Sequence, residues 1–229
     1  MKYHQLMLLI LLFSLEDHST AKDINLLEQK SHEIVFDGPP KNRFQKEQGI
    51  LNIEVNRSAS ALLFPLKNIT PLTEVKFVWR TDGVINFPKN VDEQEKDGDD
   101  SLLRIGIMLS GDPPFIPMFV PSWIEQVSES LRFPTDRMMT LMVNTKTQRS
   151  KPWESPYSSS ITNLALKSQK EASGWQICRH KFKQPIKAVG IWVMADGDNT
   201  GSVFKTQVKS VKLSIKNPDP RNQGKKQRP

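Results

Sequence analysis

Along most of the chain, apolar residues recur at every second position rather than every third or fourth. Residues 49–55 (GILNIEV) alternate apolar and polar side chains, the period of a strand with one buried face. Residues 74–80 (EVKFVWR) repeat it, with Val75, Phe77 and Trp79 on one side and Lys76, Val78 and Arg80 on the other. Apolar runs at 59–66, 101–109, 138–144 and 188–194, with alternating stretches at 161–168, 175–182 and 203–215, complete a set of about nine or ten predicted strands. Helical periodicity is confined to two places. Trp123, Val127 and Leu131 predict a short helix capped by Ser122, with Glu125 at its third position and Pro134 as the stop. Residues 23–30 predict no more than a turn of helix before Gly38-Pro39-Pro40 breaks the chain. With no βαβ alternation and no internal repeat, the pattern predicts an all-β, antiparallel two-sheet sandwich with one short helix and long loops.

The two ends fall outside this pattern. Lys2 precedes an apolar run over 6–15, and Ser19-Thr20-Ala21 offers small residues for cleavage, so residues 1–21 read as a secretory signal peptide. The run is too short to span a bilayer as a helix, and no other long apolar stretch follows, so no transmembrane segment is expected after its removal. The expected location is therefore secreted. Residues 217–229 carry Arg221, Lys225, Lys226 and Arg228 among prolines and read as a basic disordered tail. That divides the chain into the signal peptide, an N-terminal extension at 22–41, a β-sandwich domain at 42–216 and the tail.

The net charge of +7 adds little, since the basic residues form no helical stripe, and no nucleic-acid partner is expected. Cys178 is the single cysteine, which excludes an intramolecular disulfide and a thiolate zinc site and reads as a buried thiol.

Candidate chemistry concentrates in two acidic loops. Asp99 and Asp100 stand just before the apolar run at 101–109, and Asp196, Asp198 and Asn199 follow the one that ends at Met194. Asp196, Asp198 and Thr200, with Gly201, match the first half of a calcium-loop pattern. The second half fails, because Gln207 stands where a bidentate glutamate is needed. Calcium through another geometry and a structural turn, with the side chains bonding backbone amides, both remain open. Trp79, Trp175 and Trp192 fall in strands and read as core, whereas Trp153 and Tyr157 lie in a polar loop and read as an exposed platform. After signal removal only His32 and His180 remain and no G-x-S-x-G elbow occurs, so a serine triad has no support.

Several passages, in order, resemble a family of exported bacterial proteins known only as a domain of unknown function. Residues 193–201 (VMADGDNTG) are similar to its MTDTDNTG signature, with Ala195 and Gly197 in place of threonines. Val78-Trp79-Arg80, KDGDDSLLR at 96–104, Ser155-Pro156-Tyr157 and the strand at 175–182 resemble further family segments. His180 replaces an expected aspartate, and Leu141-Met142-Val143-Asn144 replaces an aromatic strand. The resemblance spans about residues 42–215 and implies a jelly-roll sandwich similar to galactose-binding-like and carbohydrate-binding modules. It implies no activity.

The sequence thus leads to an exported, non-catalytic β-sandwich that binds a glycan or another envelope component. Asp99, Asp100, Trp153, Tyr157, Asp196, Asp198 and Asn199 are its candidate binding residues, and no catalytic residue is assigned. Two alternatives stand beside it: a calcium-assisted polysaccharide hydrolase, and a structural or assembly protein in which the DGDNTG loop closes the fold.

Overall fold

A computed structural model describes residues 22–112, 121–143, 146 and 151–216. The expected signal peptide and basic tail lie outside these residues. Twelve strands and one α-helix make up most of what is described. The strands are β1 (Lys22–Asn25), β2 (His32–Val35), β3 (Arg43–Glu47), β4 (Ile50–Asn56), β5 (Ala59–Asp82) and β6 (Ser101–Ser110). They continue as β7 (Thr135–Val143), β8 (Trp153–Ser155), β9 (Ser158–Leu166), β10 (Gln169–Lys170), β11 (Gln176–Asp196) and β12 (Val203–Ile215). Helix α1 spans Ser122–Ser130. Among the described residues no helix is long and apolar enough to cross a membrane.

The fold is all-β as the period-two pattern requires, but its hydrogen bonding is more continuous than two separate sheets. The strands follow one path, β3-β4-β12-β5-β11-β6-β7-β9-β8, and β7 pairs β9 in parallel, so the set is mixed. The stretches 59–66 and 74–80 belong to a single long strand, β5, and 175–182 and 188–194 to its partner β11. The β5–β11 ladder loses register between Lys181 and Ile186, beside Pro71 and Pro185. Proline donates no ladder hydrogen bond, so these residues bend the strands without ending them.

On one side of the bend β5 and β11 pair in a group with β12 and β4; on the other they pair with β6, β7 and β2. Both groups feed one core. Ile53, Phe77 and Val211 from the first group join Ile105, Leu141, Ile191 and Val193 from the second. Thr206 Oγ1 on β12 donates to the Leu102 carbonyl on β6 at 2.7 Å, tying the groups across that core. The extension expected at 22–41 contributes two strands: β1 pairs β12 and β2 pairs β5.

A second, smaller core lies on the other face of the second group. Ala61, Met108, Met138, Val189, Trp192 and Met194 form it, and α1 covers it with Val127. Ser122 is the first helical residue rather than the cap. Asp37, which follows β2, accepts from the Ser122 N–H at 3.0 Å and the Ser122 hydroxyl at 2.6 Å. A carboxylate at a helix N-terminus is favoured by the helix dipole, and these two bonds hold the Asp37 carboxyl below its ordinary range. Cys178 is buried against Ser168 and burial pushes its thiol up, as an inert core thiol requires.

Candidate ligand-binding pocket

Antiparallel pairing of β6 with β11 sets Ser101 opposite Asp196. The segment before β6 and the loop after β11 therefore meet at one end of the sheet, which brings the two acidic loops together. The Ser101 N–H donates to Asp196 Oδ1 at 2.8 Å. Asp100 accepts from the Thr200 N–H at 2.7 Å, the Thr200 hydroxyl at 2.6 Å and the Asn199 N–H at 3.4 Å, fastening the second loop to the first. Gly197 is needed here because a Cβ would stand 2.9 Å from the Ser202 carbonyl oxygen. That carbonyl oxygen accepts from the Arg57 N–H, and the Ser202 N–H returns to the Gly197 carbonyl at 2.8 Å.

Arg104 sits in the middle of this junction and is buried. Its guanidinium meets Asp196 through Nη2–Oδ2 at 2.9 Å and Nε–Oδ1 at 3.2 Å. It meets Asp99 through Nη1–Oδ2 at 3.2 Å and Nη2–Oδ1 at 3.1 Å, and donates as well to the Asp99 carbonyl. Burial disfavours the Arg104 cation, but Asp196 and Asp99 outweigh it and keep its pKa above the ordinary value. One cation thus pairs with two buried carboxyls. Burial pushes Asp196 well up and Asp99 up, with Arg104 opposing each shift. Burial, then repulsion from Asp100, raises Asp198, which Arg104 only partly offsets.

Beside the junction opens a pocket of about 510 Å³. Asp99, Arg104, Asp196, Asp198 and Asn199 form its polar end. Its other end is apolar, walled by Met138, Ile161, Met194 and an aromatic group. In that group Trp192 packs 5.6 Å from Phe36 and 6.2 Å from Trp123, the latter edge to face. Tyr157 is half exposed and also lines the pocket, and its hydroxyl accepts from Asn199 Nδ2 at 2.8 Å. Strand alternation explains the wall: Ile191, Val193 and Ala195 enter the main core, so Trp192 and Met194 project to the other face.

Of the candidate binding residues, Asp99, Tyr157, Asp196, Asp198 and Asn199 converge on this pocket. Asp100 braces the loop from beneath. Trp153 is not an exposed platform: it lies on the short strand β8, opposite Asn163 of β9, and is buried. For a metal ion, Asp100, Asp196 and Asp198 offer oxygens within 4.8 Å of one another. Asp196 is already held by Arg104 and Ser101, while Thr200 Oγ1 is spent on Asp100 and Ser202. The carboxylates that meet here therefore serve backbone amides and an arginine first.

Sequence reasoning passed over Arg104, Trp192, Trp123 and Phe36 as site residues. A signal existed for Arg104, the one charge inside the apolar run 102–109. Phe36 and Trp123 arrive from distant segments and left no local mark.

A model for a family described as a protein of unknown function (DUF3047) matches residues 32–212. The match runs from the start of β2 into β12 and includes every residue that lines the pocket. No curated protein matches the chain.

Proposed function

We propose, for a chain that belongs to the DUF3047 family, that the pocket binds a glycan or another component of the cell envelope and that the protein is an exported, non-catalytic binding module. The observation that carries this reading is one cavity in which an aromatic wall faces a set of carboxylates and an amide. A sugar ring has the same division: C–H faces that pack on aromatic rings, and hydroxyls that donate to carboxylates and amides. Trp123 and Trp192 supply the apolar face, while Asp198, Asn199 and Tyr157 receive the hydroxyls. Arg104, Asp99 and Asp196 hold that end rigid. A hydrolase needs a free pair of carboxyls astride the scissile bond, and the Arg104 and Ser101 bonds to Asp196 favour binding instead.

The reading is tested by titrating soluble envelope-derived oligosaccharides into the protein in a calorimeter, with product analysis on the same mixtures. Binding without cleavage is expected, weakened at least about ten-fold by Trp123→Ala and by Asp198→Ala. Absence of binding across a glycan array, or new reducing ends in the incubated mixtures, overturns it.

A further inference from the structure

From the apolar end of the pocket a row of polar groups runs across the sheet, without hydrogen-bond partners among the described residues. Trp192 on β11 stands opposite Gly106 on β6, which stands opposite Thr140 on β7. Residues directly opposite one another across a ladder share a face, so the three form one row across the sheet. Trp192 and Thr140 line the pocket, are 4% and 2% exposed, and have Nε1 and Oγ1 without a hydrogen-bond partner. Gly106 keeps the space between them clear: a Cβ there would lie 2.8 Å from Met138 Sδ and 3.3 Å from Trp192 Cδ1. The row continues through Asn163 on β9 to Trp153 on β8. Asn163 Oδ1 and Nδ2 and Trp153 Nε1 are buried and unpartnered as well. Native proteins leave few such groups, and the two on this row whose residues line the cavity, Trp192 Nε1 and Thr140 Oγ1, point to a ligand that completes them.

The chemistry of that ligand follows from the row. Trp192 Nε1 only donates, whereas the Thr140 hydroxyl donates and accepts. The complement is an acceptor and a donor side by side, flanked by something small and apolar to meet Met138 and Ile161. A secondary amide with a methyl group has that arrangement, its carbonyl toward the indole N–H and its N–H toward Thr140. The polar mouth at Asp198, Asn199 and Tyr157 meanwhile calls for hydroxyls.

Resting on the glycan reading above, we propose that the pocket selects sugars bearing an acetamido group, with the amide seated on the Trp192–Thr140 row and the ring hydroxyls at the aspartate end. The probes are three β-1,4-linked trisaccharides, of N-acetylglucosamine, glucosamine and glucose, titrated calorimetrically into the intact protein. The acetylated trimer should bind at least about ten-fold more tightly than either of the others. Thr140→Val keeps the shape, removes the hydroxyl and should fold at least as stably as the native protein. It should erase most of that preference, affinity for the acetylated trimer falling several-fold more than affinity for the glucose trimer. Trp192→Phe, which removes the N–H, should act in the same direction.

Equal binding of the three trimers, or a preference that survives in Thr140→Val, overturns the acetamido proposal and leaves the glycan reading standing. A preference for the glucosamine trimer means that the carboxylates attract a cation and the row is filled by water, which also overturns it. Failure to bind these trimers while other envelope glycans bind overturns the acetamido proposal alone. Failure to bind any glycan overturns both readings.

Discussion

Removing the charge of Arg104 while keeping its stem, as in Arg104→Met, leaves Asp196 and Asp99 buried and uncompensated. Breaking a buried pair from one side costs about 3–5 kcal/mol. The protein has one escape, which is to protonate the stranded carboxyl, and that sets a ceiling. Holding one carboxyl of ordinary pKa 3.8 protonated at pH 7 costs about 4 kcal/mol, and at pH 5 roughly 1.5 kcal/mol. The folded variant then binds a proton that the unfolded chain has released. Its stability therefore falls as pH rises above the ordinary aspartate value, by up to about 1.4 kcal/mol per unit for each such carboxyl. The native protein shares part of this slope, because burial already raises both aspartates, so the informative quantity is the gap between the two curves. Urea unfolding at pH 5, 6, 7 and 8 should show a gap of about 3–5 kcal/mol at pH 7, equivalent to roughly 6–20 °C in Tm, narrowing toward pH 5. Adding Asp196→Asn to the variant should recover part of the loss and flatten its pH response. A gap below about 1 kcal/mol, or one equal at pH 5 and pH 7, would refute the reasoning.

The Asn42 side chain makes three buried hydrogen bonds, accepting from the Ser58 hydroxyl and donating to the Ser60 and Ala195 carbonyls; Asn42→Ala removes all three and should cost about 2–4 kcal/mol in urea unfolding. Gly98→Ala would place a Cβ 2.4 Å from the Asp92 carbonyl oxygen, a backbone atom that cannot swing aside, and should cost about 1–3 kcal/mol in the same measurement. The raised Asp198 carboxyl withdraws stability as pH rises from the ordinary aspartate value through its folded one, so Tm should fall less steeply over that rise in Asp198→Asn. Calcium at about 5 mM should move Tm by less than about 1 °C, because Arg104 already holds Asp196; a rise of several degrees, lost in Asp198→Ala, would show that the cluster takes the ion.

Strand content and the two acidic strand-end loops were legible because both are local facts, a period of two and carboxylates beside apolar runs; that the loops meet depends on the pairing of β6 with β11. The length of β5 and β11 was not legible, since 59–66 and 74–80 read as separate strands, as did 175–182 and 188–194, and the ladder runs on past Pro71 and Pro185 between them. The cap of α1 was misplaced for a related reason. Ser122 has the right chemistry, but the acceptor is Asp37, from a segment that local pattern assigns to an extension. Trp153 looked exposed because its neighbours are polar, yet its pairing with Asn163 turns it inward. The two faces of the strand through Trp192 are equally apolar in sequence. Only the packing shows that one fills the main core while the other lines the pocket.

The ladder between β5 and β11 joins opposite halves of the chain and runs through both strand groups. No cut between the groups can leave two self-sufficient units, since each would lose half of its central pair. Folding must accordingly close a long loop before that pair is rewarded, which places the protein among slow, high-contact-order folders. The pocket inherits this order of events. Phe36 comes from near one end of the described chain and Asn199 from near the other. A chain that ends before Asn199 therefore lacks a complete pocket.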